Sequence, residues 1–459
     1  MTLDISTDRI GDNVSSMTSA LAFSWGRAIV RHRSEPPTTE RQPLSHMLIE
    51  SEWLLHQIDT LAVISEEPEP GVTRILFSDA DLRARQHVKQ LCRDLRLTVR
   101  EDAVGNIFAR WPGSHPELPA IATGSHIDAI PNAGRYDGVV GVLGALAAIR
   151  ALRAADFKPF RSIELIVFTS EEPTRFGIGC LGSRLMSGAL KPEHAFPLTD
   201  VDGNSLRRWL EKIYGVEPEL SSVAKPKGVY AGFIELHIEQ GPLLDRAGIG
   251  VGVVENIAAP ATLRVQITGE GGHAGAVLMP DRHDALLAGA EVALAVERAA
   301  RESHSRDAVA TTGVFRIQPG AVNSIPFRAD LEIDVRDTNL STRDAALEKI
   351  RAEITTICHH RGVAAATVVL NRDAPALCDP TLTETVEASA AKLGLSSLRM
   401  VSRAYHDALF MAQISPTAMI FIPCRDGVSH RPDEFASAEA ITSGTRLLAE
   451  VLQELSREA

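Results

Sequence analysis

Apolar residues along the chain follow two rhythms, and the change between them marks its organisation. Over residues 45–63 and 79–97 they recur three to four positions apart, the spacing that builds one buried helix face. Two short apolar runs follow, Ala120-Ile121-Ala122-Thr123 and Ile163-Glu164-Leu165-Ile166-Val167-Phe168, with a helix-length segment from Gly138 to about Ala154 between them. Strands alternating with helices predict βαβ units and a mainly parallel sheet.

From about residue 260 the rhythm changes. Leu263, Val265 and Ile267 alternate with polar neighbours, an alanine-rich helix covers 281–303, and two strands lie near 308–316 and 327–336. Ser341 caps the next helix, whose Leu347, Ile350, Ile354 and Ile357 keep helical spacing, and residues 366–370 read as a last strand. That order, β-α-β-β-α-β, is the ferredoxin-like unit. Helix and strand resume beyond about 376, with 418–422 as another buried strand. The expected fold is α/β. A mainly parallel-sheet domain (45–256 and 376–459) is interrupted by a smaller β-α-β-β-α-β domain (257–375), after an N-terminal extension (1–44).

Composition narrows the function. The 459 residues are 44% hydrophobic and 23% charged, ordinary globular usage, so a large core can form. A net charge of −12 argues against a surface that tracks phosphates, so nucleic acid is not an expected partner. The longest apolar run, 139–149, is far shorter than the roughly 20 residues a membrane span needs. Five scattered cysteines without a C-x-x-C pair suggest neither a disulfide framework nor a thiolate zinc site. Asp4, Asp8 and Asp12 are unlike a secretory signal, so the cytoplasm is the expected location. Cys358-His359-His360, at the end of a predicted helix, reads as exposed surface rather than a further metal site.

Four strand-like segments carry His, Asp or Glu at or near their C-terminal ends. His126 and Asp128 stand just past residues 120–123, and Asp137 lies where a loop enters the next helix. Glu171 and Glu172 follow Phe168; His237 alternates with Glu235 and Glu239; His430 follows the run at 418–422. Each has an ordinary reading by itself: Asp137 as a helix N-cap, the Glu pair as a solvated loop, His237 on the wet face of an edge strand, His430 as a structural histidine. Together they sit where open α/β sheets bind ligands. Imidazoles and carboxylates suit two metal ions with one carboxylate shared between them, leaving Glu171 free as a base.

These stretches, with Gly134-Arg135-Tyr136-Asp137-Gly138, Glu235-Leu236-His237-Ile238-Glu239-Gln240-Gly241-Pro242 and Gly427-Val428-Ser429-His430, resemble the dinuclear metallohydrolase family of aminoacylases and carboxypeptidases. The histidine at 237 resembles its ureido-cleaving branch of N-carbamoyl-amino-acid, allantoate and ureidoglycolate amidohydrolases. The resemblance implies His126, His237 and a shared Asp137 on one metal, and Glu172, His430 and Asp137 on the other. It makes Glu171 the general base and Asp128 the residue that orients His126. Two divalent ions per subunit are implied, manganese first, with zinc, cobalt or nickel as alternatives. The resemblance also implies that the inserted domain forms a homodimer and that His273 reaches the oxyanion across its interface. Asn323 and Arg336 then hold a substrate carboxylate, and Gln240 lies near the ureido group.

Within the branch, Ala276-Val277-Leu278 stands where the carbamoyl and allantoate enzymes carry Thr-Thr-Pro, and Arg403-Ala404-Tyr405 precedes His406 in place of Gly-Ala-Gly. Both stretches look most like the ureidoglycolate amidohydrolases; the tyrosine and the bulkier strip should reshape the pocket, where Tyr405 and His406 are expected to bind substrate. The expected reaction is hydrolysis of ureidoglycolate to glyoxylate, ammonia and carbon dioxide. The alternatives are an N-carbamoyl-amino-acid or allantoate substrate or, from another class, a metal-free binding homologue.

Overall fold

A computed structural model describes residues 48–458; the extension 1–44 and residues 45–47 of the first predicted helix lie outside the described residues. The largest element is a nine-stranded sheet. Its centre runs Thr417–Ile422, Tyr230–Ile238, Ala120–His126, Ile163–Phe168, all parallel neighbours. The flanks correct the expected mainly parallel sheet. Ile107–Trp111 and Thr98–Glu101 join one side antiparallel, and on the other Val251–Ile257 runs antiparallel to Thr417–Ile422. A mixed sheet results, whose parallel centre is buried on both faces, while Ser397–Ser402 adds a partly exposed strand parallel to Val251–Ile257.

The strand carrying His237 is therefore central rather than a wet edge, and Glu235 is fully buried within it. The helix Val139–Ala154 lies on this sheet with nearly every residue buried. Its glycines permit close approach: a Cβ at Gly141 would stand 2.4 Å from the Leu236 carbonyl oxygen. The helix is thus pinned against the strands that bear the candidate ligands.

Ala259–Thr268, Val309–Gln318, Arg328–Asp337 and Ala364–Arg372 form a separate antiparallel four-stranded sheet, covered on one face by the helices Ala285–Arg301 and Leu340–His360. Its strand order is the ferredoxin-like one. Leu263, Val265 and Ile267 are buried, as their alternation predicts. Asn339, not Ser341, caps the second helix, its side chain accepting from the N–H groups of Ser341 and Thr342. The chain leaves the large sheet through Val251–Ile257 and returns through Ala376–Leu377, which pairs with that same strand. Arg184 holds the return with a 2.6 Å ion pair to Asp373. At the end of the second helix His359 and His360 are exposed, whereas Cys358 is buried against the helix-covered core. No helix among the described residues is long and apolar enough to cross a membrane.

Candidate metal centre

Adjacent parallel strands deliver the two innermost imidazoles: His126 ends Ala120–His126, and His237 lies one residue before the end of Tyr230–Ile238. Asp137 sits in the turn before Val139–Ala154. It is not that helix's cap, a position taken by Gly138 with φ 66°, where a Cβ would stand 2.5 Å from the His126 ring. The Asp137 carboxylate instead faces three imidazoles. Its Oδ1 lies 3.5 Å from His126 Nε2 and 3.2 Å from His237 Nε2, and its Oδ2 lies 3.2 Å from His430 Nε2. His430 Nε2 is also 3.3 Å from Glu172 Oε1. In each of two triads, His126–Asp137–His237 and Asp137–Glu172–His430, the donor atoms lie within 4.8 Å of one another. Mixed imidazole and carboxylate donors around a shared carboxylate fit a pair of divalent cations.

A third triad, Glu235–His237–His406, has the same compactness but no free carboxylate. Glu235 accepts from Ser125 Oγ at 2.7 Å and from the Ala408 N–H at 3.0 Å. It reads as a support for the strand and for His237.

Electrostatics agree with a cation-binding donor set. Burial opposes a charged His126 ring, but Glu171, Asp137 and Asp128 outweigh it and hold its pKa well above the ordinary imidazole value. His237 is raised in the same way, chiefly by Asp137 against the cost of burial. His430 is pushed up to about 11 by hydrogen bonds to Asp137 and Glu172. Burial favours neutral Asp137, yet the three imidazoles hold its carboxyl well below the usual range. In metal-stripped protein these pairings stabilise the fold fully below the unfolded imidazole pKa of roughly 6.5 and fade as pH rises through the elevated values. Metal uptake at pH 7–8 must then displace imidazole protons. Apparent affinity should rise about tenfold per pH unit for each proton displaced. Calorimetry in buffers of different ionisation enthalpy measures this; uptake with no proton release would contradict it.

Asp128 supports this set differently from the expected manner. His126 Nδ1 meets the Asp128 backbone carbonyl at 3.1 Å and its carboxylate only at 3.7 Å. The carboxylate accepts from the N–H groups of Glu171 at 3.3 Å and Glu172 at 3.0 Å, fixing both acids. The backbone is strained here: Ser170, Gln240 and His430 have φ of 54°, 55° and 59°. Such left-handed residues cost on the order of 1–3 kcal/mol each and tend to collect at functional sites.

A cavity of about 180 Å3 opens over the triads, lined by Asp137, Glu171, Glu172, Gln240, Arg336, Tyr405, His406 and His430 among others. It is well below the roughly 300–1,000 Å3 of sites for drug-sized ligands. Glu171 Oε2 lies 3.8 Å from His126 Nε2, and burial raises its pKa well above the carboxylate norm. Arg336 arrives from the four-stranded sheet, paired with Asp334 at 2.7 Å, with its guanidinium 5.1 Å from the Tyr405 ring centre. Burial and the charge of Glu171 keep the Tyr405 hydroxyl protonated. His406 packs 4.4 Å from His237, and burial lowers its pKa well below the ordinary value. Gln240 Nε2 donates to Asp137 Oδ2 at 2.7 Å, while its Oε1 is buried without a partner among the described residues.

His273 and Asn323 do not join this cavity. They are exposed and adjoin one another, the Ala274 N–H donating to the Asn323 carbonyl at 2.9 Å. Two supporting residues escaped the sequence reading, Glu434 and Ser429 in its supporting role. Glu434 is buried and linked to Asp137 and Ser429, and burial beside Asp137 pushes its carboxyl up to about 7. An acid four residues beyond a candidate ligand was the available signal.

Comparison with known proteins identifies the family. Residues 122–454 match the model of peptidase family M20/M25/M40. The chain is 51% identical over 419 residues to the ureidoglycolate hydrolase of Arabidopsis thaliana, covering 90% of this chain and 88% of that protein. It is 34% identical over 411 residues to the N-carbamoyl-L-amino acid amidohydrolase of Geobacillus stearothermophilus, covering 89% of this chain and all of that one. A crystal structure of AtUAH in complex with (S)-hydroxyglycine superposes with a TM-score of 0.85 at 50% identity, covering 89% of this chain and 98% of that one. The chain belongs to peptidase family M20/M25/M40 and is a hydrolytic enzyme of that metal-dependent family.

Proposed function

We propose that this enzyme hydrolyses the ureido C–N bond of ureidoglycolate. The observation that carries the reading is the Arg336 guanidinium 5.1 Å from the Tyr405 ring centre, in a small cavity that also holds Asp137, Glu171 and Glu172. Tyr405 lies in a stretch where the chain departs from the carbamoyl enzymes. The likeness to a ureidoglycolate hydrolase supports the same substrate. His126, His237 and Asp137 would hold one divalent ion and Glu172, His430 and Asp137 a second, manganese first, and the pair would supply Lewis acidity.

The residues of the chain do the rest. Arg336 holds the substrate carboxylate, and the unpartnered Gln240 Oε1 accepts an N–H of the ureido group. Glu171 takes a proton from the attacking water and returns it to the leaving nitrogen as the carbonyl carbon–nitrogen bond breaks. Carbamate and 2-hydroxyglycine leave and decompose to carbon dioxide, two ammonia and glyoxylate, with one water consumed. The (S)-hydroxyglycine bound to AtUAH is the same type of hemiaminal.

Residues 45–256 and 376–459 form the catalytic domain in this reading, and 257–375 the dimerisation domain. His273 and Asn323, exposed and outside the cavity of their own chain, would complete that of a second copy, His273 at the oxyanion and Asn323 at the carboxylate. Five buried free thiols suit a reducing compartment, the cytoplasm.

The test is release of glyoxylate and ammonia from ureidoglycolate, compared with N-carbamoyl amino acids and allantoate, before and after chelation. Ureidoglycolate should give the highest kcat/KM, lost with the metal and restored by manganese. Metal-dependent turnover confined to an N-carbamoyl amino acid would transfer the assignment to that substrate.

A further inference from the structure

We infer that Glu434 is a positioning residue that keeps one oxygen of Asp137 available to a cation, by drawing the Ser429 proton away from it. The inference rests on the two-cation reading above. Glu434 is only 5% exposed and joins two loops distant in sequence. Its Oε1 accepts from the N–H of Tyr136 at 2.9 Å and of Asp137 at 3.2 Å, and its Oε2 lies 2.8 Å from Ser429 Oγ. Gly134 leaves the room: a Cβ there would stand 2.2 Å from the Glu434 carboxylate. The loop of Asp137 is thereby tied to the loop of His430.

Ser429 has one hydroxyl proton and two carboxylates to choose from. Glu434 Oε2 is at 2.8 Å and Asp137 Oδ2 at 3.1 Å, while Gln240 Nε2 offers only a donor at 3.4 Å. The shorter contact takes the proton. Asp137 Oδ2, the oxygen facing His430, already accepts from Gln240 Nε2 at 2.7 Å and then keeps its other lone pair for the cation between Asp137, Glu172 and His430. An amide at 434 would still accept from the two N–H groups through its oxygen. Its NH2 would donate to Ser429 Oγ and turn the hydroxyl proton onto Asp137, where it competes with the metal.

The experiment is calorimetric titration of metal-stripped full-length protein with manganese at pH 8, with thermal unfolding as a check on folding. The binding event abolished by His430→Ala identifies the outer site. Glu434→Gln should weaken that same event by about 10–100-fold, the usual effect of an outer-shell partner, and leave the His126–His237 event nearly unchanged. Adding Ser429→Ala to Glu434→Gln should recover most of the loss, because no hydroxyl proton remains to be misdirected. A purely structural role would not produce that rescue. Wild-type affinities in Glu434→Gln, equal weakening of both events, or no recovery in the double variant would each overturn the inference. Fewer than two manganese ions on the wild type would instead overturn the two-cation reading beneath it.

Discussion

Glu171→Gln should lower kcat by about 10²–10⁴-fold while both metal ions stay bound, the usual worth of general acid–base catalysis. The substitution keeps size and hydrogen-bonding shape and removes only the ability to take a proton. Glu171 lines the cavity, and its backbone N–H is held by Asp128 independently of its side chain. Its carboxylate is not among the donors of the two metal-binding triads. Steady-state kinetics with metal analysis on the same preparation checks both halves. Full activity in the variant would remove Glu171 from the reaction, and loss of metal together with activity would make it a ligand rather than a base.

Asp137→Ala should cost both ions at once. Its two oxygens serve separate triads, so a single truncation leaves His126 and His237 on one side, and Glu172 and His430 on the other, each without the carboxylate they share. Metal content should fall from two per chain toward none, and turnover to background, whereas His430→Ala should remove one ion. The difference exceeds the 10–100-fold expected for an outer partner, because the bridging ligand itself is gone. Two ions retained in Asp137→Ala, measured by elemental analysis after gel filtration, would exclude the shared-carboxylate arrangement.

Much of this site is legible in the chain because its chemistry sits at strand ends, and strand ends are marked by local pattern. Ile163–Phe168 is an apolar run broken only by Glu164, and the acids that follow Thr169 and Ser170 fall beyond its C-terminal edge. The same logic places His126 and His430. The edge-strand reading of residues 232–240 failed because alternation of Glu and His with Ile and Leu also fits a buried strand whose polar groups are paired. Glu235, bonded to Ser125 and Ala408, is such a case. The helix cap moved from Ser341 to Asn339, since either side chain can satisfy the first-turn N–H groups and propensity does not choose between them.

From sequence alone, the chain determined its elements, the inventory of imidazoles and carboxylates, and the order in which they are presented. Those depend on backbone periodicity and on chemistry that each residue carries wherever it lies. Only the tertiary structure decided that the flanking strands run antiparallel, and that Asp128 grips the Glu171 loop by its carboxylate. It also decided that Arg336 reaches the cavity while His273 and Asn323 do not, and that Glu434 meets Asp137 across most of the chain. Such meetings depend on how packed layers bring remote segments within hydrogen-bond range, and no local period of the sequence encodes that distance.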